Sequence, residues 1–438
     1  MRRLALRIGL AGLVAATGGW LPGQAQARAK LDYSTARFAV RDNAYAFGQA
    51  PVFMPNGRQV VFGKDFGDGQ GNQVYVADLD GRHLRCLTCT GPGSATSNVN
   101  GVPAVRPQGD WILFHSWRGH HITIGSPGYG GLGSELWVMR PDGSHQTQLT
   151  GLDPAHGAGE GEDDYHAYWS PDGRHIVWAH LNWNFVNDGG DGRWDVRVAD
   201  FVVGPSGPRL THVRVVRPAN GHWYETQWWS PDGNGFLYTE TFGSSENPEL
   251  FYCRLTRSGC AVTRLTHDPA WDEQALFTPD GKDVIFMSSR DHPGFFNSYA
   301  ELAEALGLPN DYDYILILPL FEAGFLQPVG QEATDLYELD LKTGSVRRLT
   351  TDGDNGWITP EFTWDPSGSY LMWTENRFPD GYRYPLPPDP AGYLSSLAQL
   401  LQNPPNPGGS ITQNGVGAAP VPVEQRTRIG VFLPPARR

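Results

Sequence analysis

Short apolar segments recur along this chain, each set just after a polar turn. Six turn-like tetrapeptides carry the rhythm: "MPNG" (54–57), "RPQG" (106–109), "SPDG" (170–173), "SPDG" (230–233), "TPDG" (278–281) and "DPSG" (365–368). Proline presets φ at the second turn position, and glycine closes the turn. The segments that follow are "QVVFG", "WILFHS", "HIVWAH", "GFLYTE", "DVIFMSS" and "YLMWTE". Their β-branched and aromatic content predicts strands. A third strand follows in "QVYVADLDG", "ELWVMRPDG", "ELFYCRLTRSG" and "DLYELDLKTG", with a degenerate version in "DVRVADFVVG". A fourth ends in Leu-Thr at Leu87-Thr88, Leu149-Thr150, Leu210-Thr211, Leu265-Thr266 and Leu349-Thr350. Four short strands per repeat make a propeller blade. Six turns predict an all-β, six-bladed propeller over residues 31–376. The last repeat shows only its first two strands. Its outer strands must come from residues 32–47, from "TRIGVFL" (427–433), or from both. That would close the ring and remove its free edges.

These repeats resemble the TolB-type, WD40-like (PD40) propeller repeat, whose blade reads W-S-P-D-G, strand, strand, D-x-D-G, strand, L-T. "YWSPDG", "WWSPDG" and "LFTPDG" are its specific matches, and the resemblance covers about residues 50–376. TolB itself carries an extra N-terminal α/β domain. Here only about 20 residues separate a signal-like leader from the first blade. The resemblance is therefore to the repeat, without that domain. It implies a non-catalytic binding or scaffold propeller of the cell envelope, with a protein or glycan as partner.

Topology separates two faces. Strands in such a blade alternate in direction, so first-to-second and third-to-fourth turns share one face. Second-to-third loops and blade-to-blade loops share the other. The first set is short throughout. The second holds the insertions at 91–103, 118–134, 151–165, 182–194 and 290–334. Long loops on one face of a rigid scaffold are where function usually sits. The insert 291–334 in blade five contains one predicted helix, "SYAELAEALGL" (298–308), and the apolar stretch "YDYILILPLFEAGF". It is expected to act as a lid over the channel mouth or to dock on a neighbouring loop, with a partner-binding edge as the lesser alternative. His115, His120, His121, His156, His166, His180, His212, His222, His267 and His292 fall in or beside these long-loop positions, ten of the 13 histidines. Trp117, Trp183, Trp194, Trp223, Tyr224, Trp271, Phe295, Phe296 and Trp357 join them. Each of these aromatics either stacks on a ligand or packs the loops together.

The termini and charge narrow the setting. Residues 1–27 read as a signal peptide: Arg2, Arg3 and Arg7, then apolar Ile8 to Leu21, then small-x-small cleavage sites. The apolar run is too short to span a membrane, and no later stretch reaches about 18 apolar residues. The mature chain is expected in the periplasm or secreted, as a monomer without a membrane span. The net charge is −13, and residues 1–27 remove three arginines and no acid, leaving −16. Such a charge argues against nucleic acid or anionic membrane as partner. Four cysteines in close pairs, Cys86/Cys89 and Cys253/Cys260, predict two local disulfides. Cys86-Leu-Thr-Cys89 has redox spacing but no βαβ context. Residues 377–438 read as a Pro-rich strap and closing strand.

The candidate chemistry lies where each innermost strand begins. His166, Glu225, Glu273-Gln274 and Glu361 precede the turns of four successive blades. Together they would set one imidazole and three carboxylates around one channel mouth. That donor set suits a divalent metal, Ca²⁺, Mn²⁺ or Zn²⁺ according to geometry. Two of the acids could alternatively serve as an acid/base pair, or the acids are solvated and cap backbone amides. A second cluster, "FHSWRGHH", contains His115, His120 and His121. Its arrangement ahead of E-x-x-x-H-x-x-W-x-P-D-G is vaguely similar to oligogalacturonate lyases, which are metal-binding propellers. That similarity implies His115 and His166 as ligands, with His120 or His121 near the substrate. The lyases have seven blades, and their second histidine close to the position of His166 is missing here. No G-x-S-x-G, Walker A or Rossmann glycine pattern occurs. "DGGDGRWD" (188–195) and "TDGDNG" (351–356) lack EF-hand spacing and read as plain turns. Two functions follow as expectations: an exported binding module, or a metal-dependent carbohydrate-active enzyme.

Overall fold

A computed structural model describes residues 36–40, 49–64, 72–79, 81–90, 100–116, 118, 134–151, 163–182, 193–240, 248–292, 333–377 and 426–432. The signal-like leader, His120, His121, His156, the 298–308 helix and the strap lie outside them.

The strands group by repeat. β1 is Ala36–Val40. β2 (Gln49–Phe53), β3 (Gln59–Lys64), β4 (Gln73–Asp78) and β5 (Arg85–Cys86) form one antiparallel sheet. β6 (Asn100–Val105), β7 (Ile112–Ser116), β8 (Glu135–Met139) and β9 (Thr147–Gln148) form the next. β10 (Asp163–Trp169), β11 (His175–Asn182), β12 (Arg193–Gly204) and β13 (Gly207–Arg217) follow. Then come β14 (Tyr224–Trp229), β15 (Gly235–Glu240), β16 (Glu249–Thr256) and β17 (Gly259–Arg264). The fifth sheet is β18 (Asp272–Phe277), β19 (Asp283–Ser288), β20 (Asp335–Asp340) and β21 (Val346–Arg348). The remaining sheet orders β1, β24 (Arg426–Phe432), β23 (Leu371–Arg377) and β22 (Ile358–Trp364). Among the described residues the one helical element is a 3₁₀ turn at Asp352–Asn355, within "TDGDNG".

This is a β-propeller arrangement. Five sheets are contiguous four-strand blades. The expected sixth blade is not a contiguous repeat: its sheet takes two strands from the last repeat, one from the C-terminal segment and one from the N-terminal segment. Both segments left open by the sequence contribute. The first strands touch in cyclic order: β2, β6, β10, β14, β18, β22 and back to β2. They are the innermost strands, so residues on them face the axis or the neighbouring blade.

The repeated turn behaves as its residues demand. Gly57, Gly109, Gly173, Gly233, Gly281 and Gly368 all have φ between +64° and +72°. Only glycine adopts that region without steric cost. Each donates its N–H to the carbonyl three residues back, as Gly173 does to Ser170 at 2.8 Å. The core lies between blades: apolar side chains of neighbouring sheets pack face to face, as Leu113, Val138, Trp169, Ile176, Trp178 and Phe201 do across the second and third sheets. Tryptophans of the W-S-P-D-G type add a clamp. Trp169, Trp229 and Trp364 each donate Nε1–H to a carbonyl on the preceding innermost strand, Ala104, Tyr168 and Phe277 respectively, at 2.9 to 3.1 Å.

The Leu-Thr endings also have a physical reason. Thr88, Thr150, Thr266 and Thr350 each accept the N–H of the second residue of the third strand. Thr88, Thr150 and Thr350 donate their hydroxyls to the first residue of that strand, Gln73, Glu135 and Asp335. Leu210-Thr211 is a correction. It lies within the long β13, opposite Phe201 and Asp200, not at a strand end. The elongated β12–β13 hairpin also carries His212 away from the long-loop positions: it is exposed and paired with Asp200 at 2.8 Å. Both expected disulfides are present, Cys86–Cys89 and Cys253–Cys260.

Candidate functional site: a buried acid cluster at the ring axis

Every innermost strand carries a register shift in its middle: between Gln49 and Val52, Gly101 and Ala104, Tyr165 and Tyr168, Thr226 and Trp229, Glu273 and Ala275, and Ile358 and Glu361. Such bulges re-aim side chains. Ala50, Val102, His166 and Gln274 sit in these shifts with φ of +40° to +50°. The left-handed region costs a non-glycine residue about 1 kcal/mol or more. Ala50 and Val102 are small or apolar there, so the conformation belongs to the scaffold, and polar chemistry is laid over it in later blades.

The candidate residues do not share one register. His166, Gln274 and Glu361 stand four positions before the first residue of their turns, whereas Glu225 and Glu273 stand five before. The bulge brings both registers inward. Nδ1 of His166 lies 2.9 Å from Oε1 of Glu225, with 1% and 5% of the two side chains exposed. The ring is not angled for a hydrogen bond at either nitrogen. This is a close contact whose strength depends on imidazole charge. Gln227 and Gln274 donate amide N–H groups to the same Glu225 oxygen, at 2.7 and 3.1 Å. Trp271 donates Nε1–H to Glu273 at 2.7 Å. Thr226 donates its hydroxyl to the carbonyl of His166.

Electrostatics ties in the last blade. Burial, then Glu225, pushes Glu361 well above the ordinary carboxylate range. Burial, then Glu225, with a smaller contribution from Glu361, does the same to Glu273, against the Trp271 hydrogen bond. Tyr168 is raised by burial and then by Glu361, Glu225 and Glu273. One phenol therefore feels all three acids. β14 and β22 are separated by β18 in the ring, so the influence of Glu225 on Glu361 reaches past the intervening blade. His166, Glu225, Glu273, Gln274 and Glu361 are thus brought together, all less than a tenth exposed. They are neither solvated nor capping strand entrances.

His115 is buried on β7, the second strand of its sheet, opposite Gly101. Trp194, Trp223, Tyr224 and Trp271 are buried, so of the two readings for these aromatics, packing applies. Tyr168, Gln227 and Trp271 were not foreseen in the cluster. Tyr168 and Gln227 lie within or beside the scaffold motifs, which conceal them. The signal for Trp271 was its i, i+2 spacing to Glu273, which puts both on one strand face.

The metal reading meets a size test. Oxygen and nitrogen ligands sit about 2.0–2.6 Å from a divalent ion, so ligating atoms lie within about 5 Å of each other. Among the described residues, the group of three His, Asp or Glu side chains meeting a 4.8 Å limit is His292, Asp335 and Asp354, not the axial set. That group already encloses a cation: Arg348 donates to Asp335 and, at 2.6 Å, to Asp354. The axial acids and His166, as arranged, do not form such a three-ligand group. Three atoms there nevertheless lack partners while buried: Nε2 of His166, Oε1 of Glu361 and Oε1 of Gln227.

Comparison with known proteins places the fold in context. No family profile matches the sequence, and no curated protein matches it. Among solved structures, TolB from Acinetobacter baumannii is similar at 14% identity and TM-score 0.44, over 73% of this chain and 60% of that one. A putative TolB from Agrobacterium tumefaciens is similar at 15% identity and TM-score 0.45, over 76% of this chain and 90% of that one. An oligogalacturonate lyase in complex with manganese aligns at 13% identity and TM-score 0.36, over 78% and 86%.

Proposed function

We propose that this chain is an exported, six-bladed TolB-like propeller that works as a binding module of the cell envelope. It takes a protein or glycan on its long-loop face and anchors it at the axis. The observation that carries this reading is the buried cluster of Glu225, Glu273 and Glu361 around His166. Among the described residues, the influences on Glu273 and Glu361 are burial, other carboxylates and one indole N–H, with no lysine or arginine. Burying acids without a basic partner costs several kcal/mol. Glu225 has the His166 imidazole beside it, but Glu273 and Glu361 on the next two blades have no such partner among the described residues; the fold gains little structurally from them, and a ligand gives them a purpose. The two disulfides fit an oxidising compartment outside the cytoplasm.

A second reading is a metal-dependent carbohydrate-active enzyme at the same mouth. It is favoured by the partnerless His166 Nε2 and Glu361 Oε1, which are suitable ligand atoms if the side chains contract around an ion. Metal analysis of the purified mature protein separates the readings, with His166→Ala as control. The binding-module reading expects a metal-free protein whose stability ignores divalent ions and EDTA. Stoichiometric Ca, Mn or Zn, lost in His166→Ala, would move the assignment to the enzyme.

A further inference from the structure

The geometry points to the axial cluster as a receptor for a guanidinium group, an arginine side chain presented by a protein partner. This rests on the binding-module reading and names what that module recognises. Three features carry it. The first is latent charge: the acids come from β14, β18 and β22, and among the described residues no lysine or arginine acts on Glu273 or Glu361, so burial keeps them protonated until a cation among them releases those protons. The second is unsatisfied polarity. Nε2 of His166, Oε1 of Glu361 and Oε1 of Gln227 are buried with no hydrogen-bond partner. His166 is 1% exposed and its ring is turned onto Glu225, so the unmet atoms belong to the same cluster as the acids.

The third feature is size. Among the described residues, the axial acids and His166 do not form a three-ligand group as compact as one metal ion takes. An ammonium group places its three acceptors only about 4.6 Å apart, hydrogen bonds to it being about 2.8 Å long. A guanidinium is larger: five N–H donors in one plane reach acceptors roughly 6–7 Å apart. It also stacks on aromatic faces. The Tyr168 hydroxyl feels all three glutamates, while its ring packs on Trp228 at 5.1 Å. Glu273 and Gln274, at 8% and 9%, are the most exposed members. The charge of arginine persists in a buried site.

Calorimetric titration of the mature protein tests this with three capped peptides, Ac-Gly-Arg-Gly-NH2, its lysine counterpart and its citrulline counterpart. Citrulline keeps the shape of arginine and removes the charge. The expected result is millimolar-range binding of the arginine peptide, at least tenfold weaker for citrulline, and tenfold or greater weakening in both Glu361→Gln and Glu273→Gln. Thermal melting confirms that each variant is folded. The two glutamines are independent, so one misfolded variant leaves the other to decide. Equal binding of citrulline and arginine, or unchanged affinity in a folded Glu361→Gln, overturns the inference. Methylguanidine binding as tightly as the peptide overturns the protein partner. If Ca²⁺ or Mn²⁺ binds stoichiometrically, is lost in Glu361→Gln, and the peptide does not bind, this inference fails while the axial site stands. If neither peptide nor ion binds, the inference fails while the binding-module reading, which also admits a glycan, stands.

Discussion

Replacing Glu361 by Gln should change how stability depends on pH, and the size of the change follows from the cluster. Glu273 and Glu361 are held well above the ordinary carboxylate range by burial and by Glu225. In the unfolded chain both ionise near pH 4.3. Below that value both states carry both protons and stability is flat with respect to these groups. Above it the unfolded state releases two protons that the folded state keeps, so stability falls as pH rises towards the folded values. Each retained proton contributes a slope of about 1.4 kcal/mol per pH unit, so the pair gives about 2.7. Glu361→Gln keeps the shape, removes one proton, and should leave a slope about 1.4 kcal/mol per unit shallower. The assay is urea unfolding from pH 5 to 8 in EDTA, with the difference between wild type and variant plotted against pH. Glu249, pushed to about 7, and Asp272, to about 6, slope the same way. They are common to both proteins and cancel in the difference. A difference independent of pH would refute the claim that Glu361 is held neutral.

Three other outcomes follow from the scaffold. Trp229→Phe removes the N–H that reaches Tyr168 and strands a buried carbonyl, so it should cost about 1–3 kcal/mol, read as a lower urea midpoint at unchanged slope. Thr350→Val deprives both the Leu336 N–H and the Asp335 carboxylate of a partner. It should cost at least about 2 kcal/mol, whereas the same change at Thr211, within β13, should cost less. Replacing Cys86 and Cys89 together by serine should lower stability by about 2 kcal/mol for so short a loop, with thermal melting as the check and wild type in dithiothreitol as a parallel.

Much of the architecture was legible along the chain because a propeller is built from local contacts. Turn residues such as Pro171 and Gly173 act within four positions, and the apolar rhythm of "HIVWAH" reports a strand directly. Close cysteine pairs left little choice of partner. Repetition multiplied each weak signal. The reading failed where one blade broke the pattern: Leu210-Thr211 looked like a strand end, and only the extended β12–β13 pairing shows that it is not. Sequence alone also left undecided which terminus closes the ring, because pairing of β1 with β24 joins segments about 390 residues apart, a contact with no local trace.

The candidate site divides in the same way. The chain by itself determined that His166, Glu225, Glu273 and Glu361 stand near the starts of successive innermost strands, since their spacing from each turn is a one-dimensional fact. Only the tertiary structure decided that they meet, that they are buried, and that Tyr168, Gln227 and Trp271 join them. The reason is physical. Distance from a turn fixes a residue's height along the axis, but the bulge in each innermost strand sets its direction, and the closure of the ring sets its neighbours.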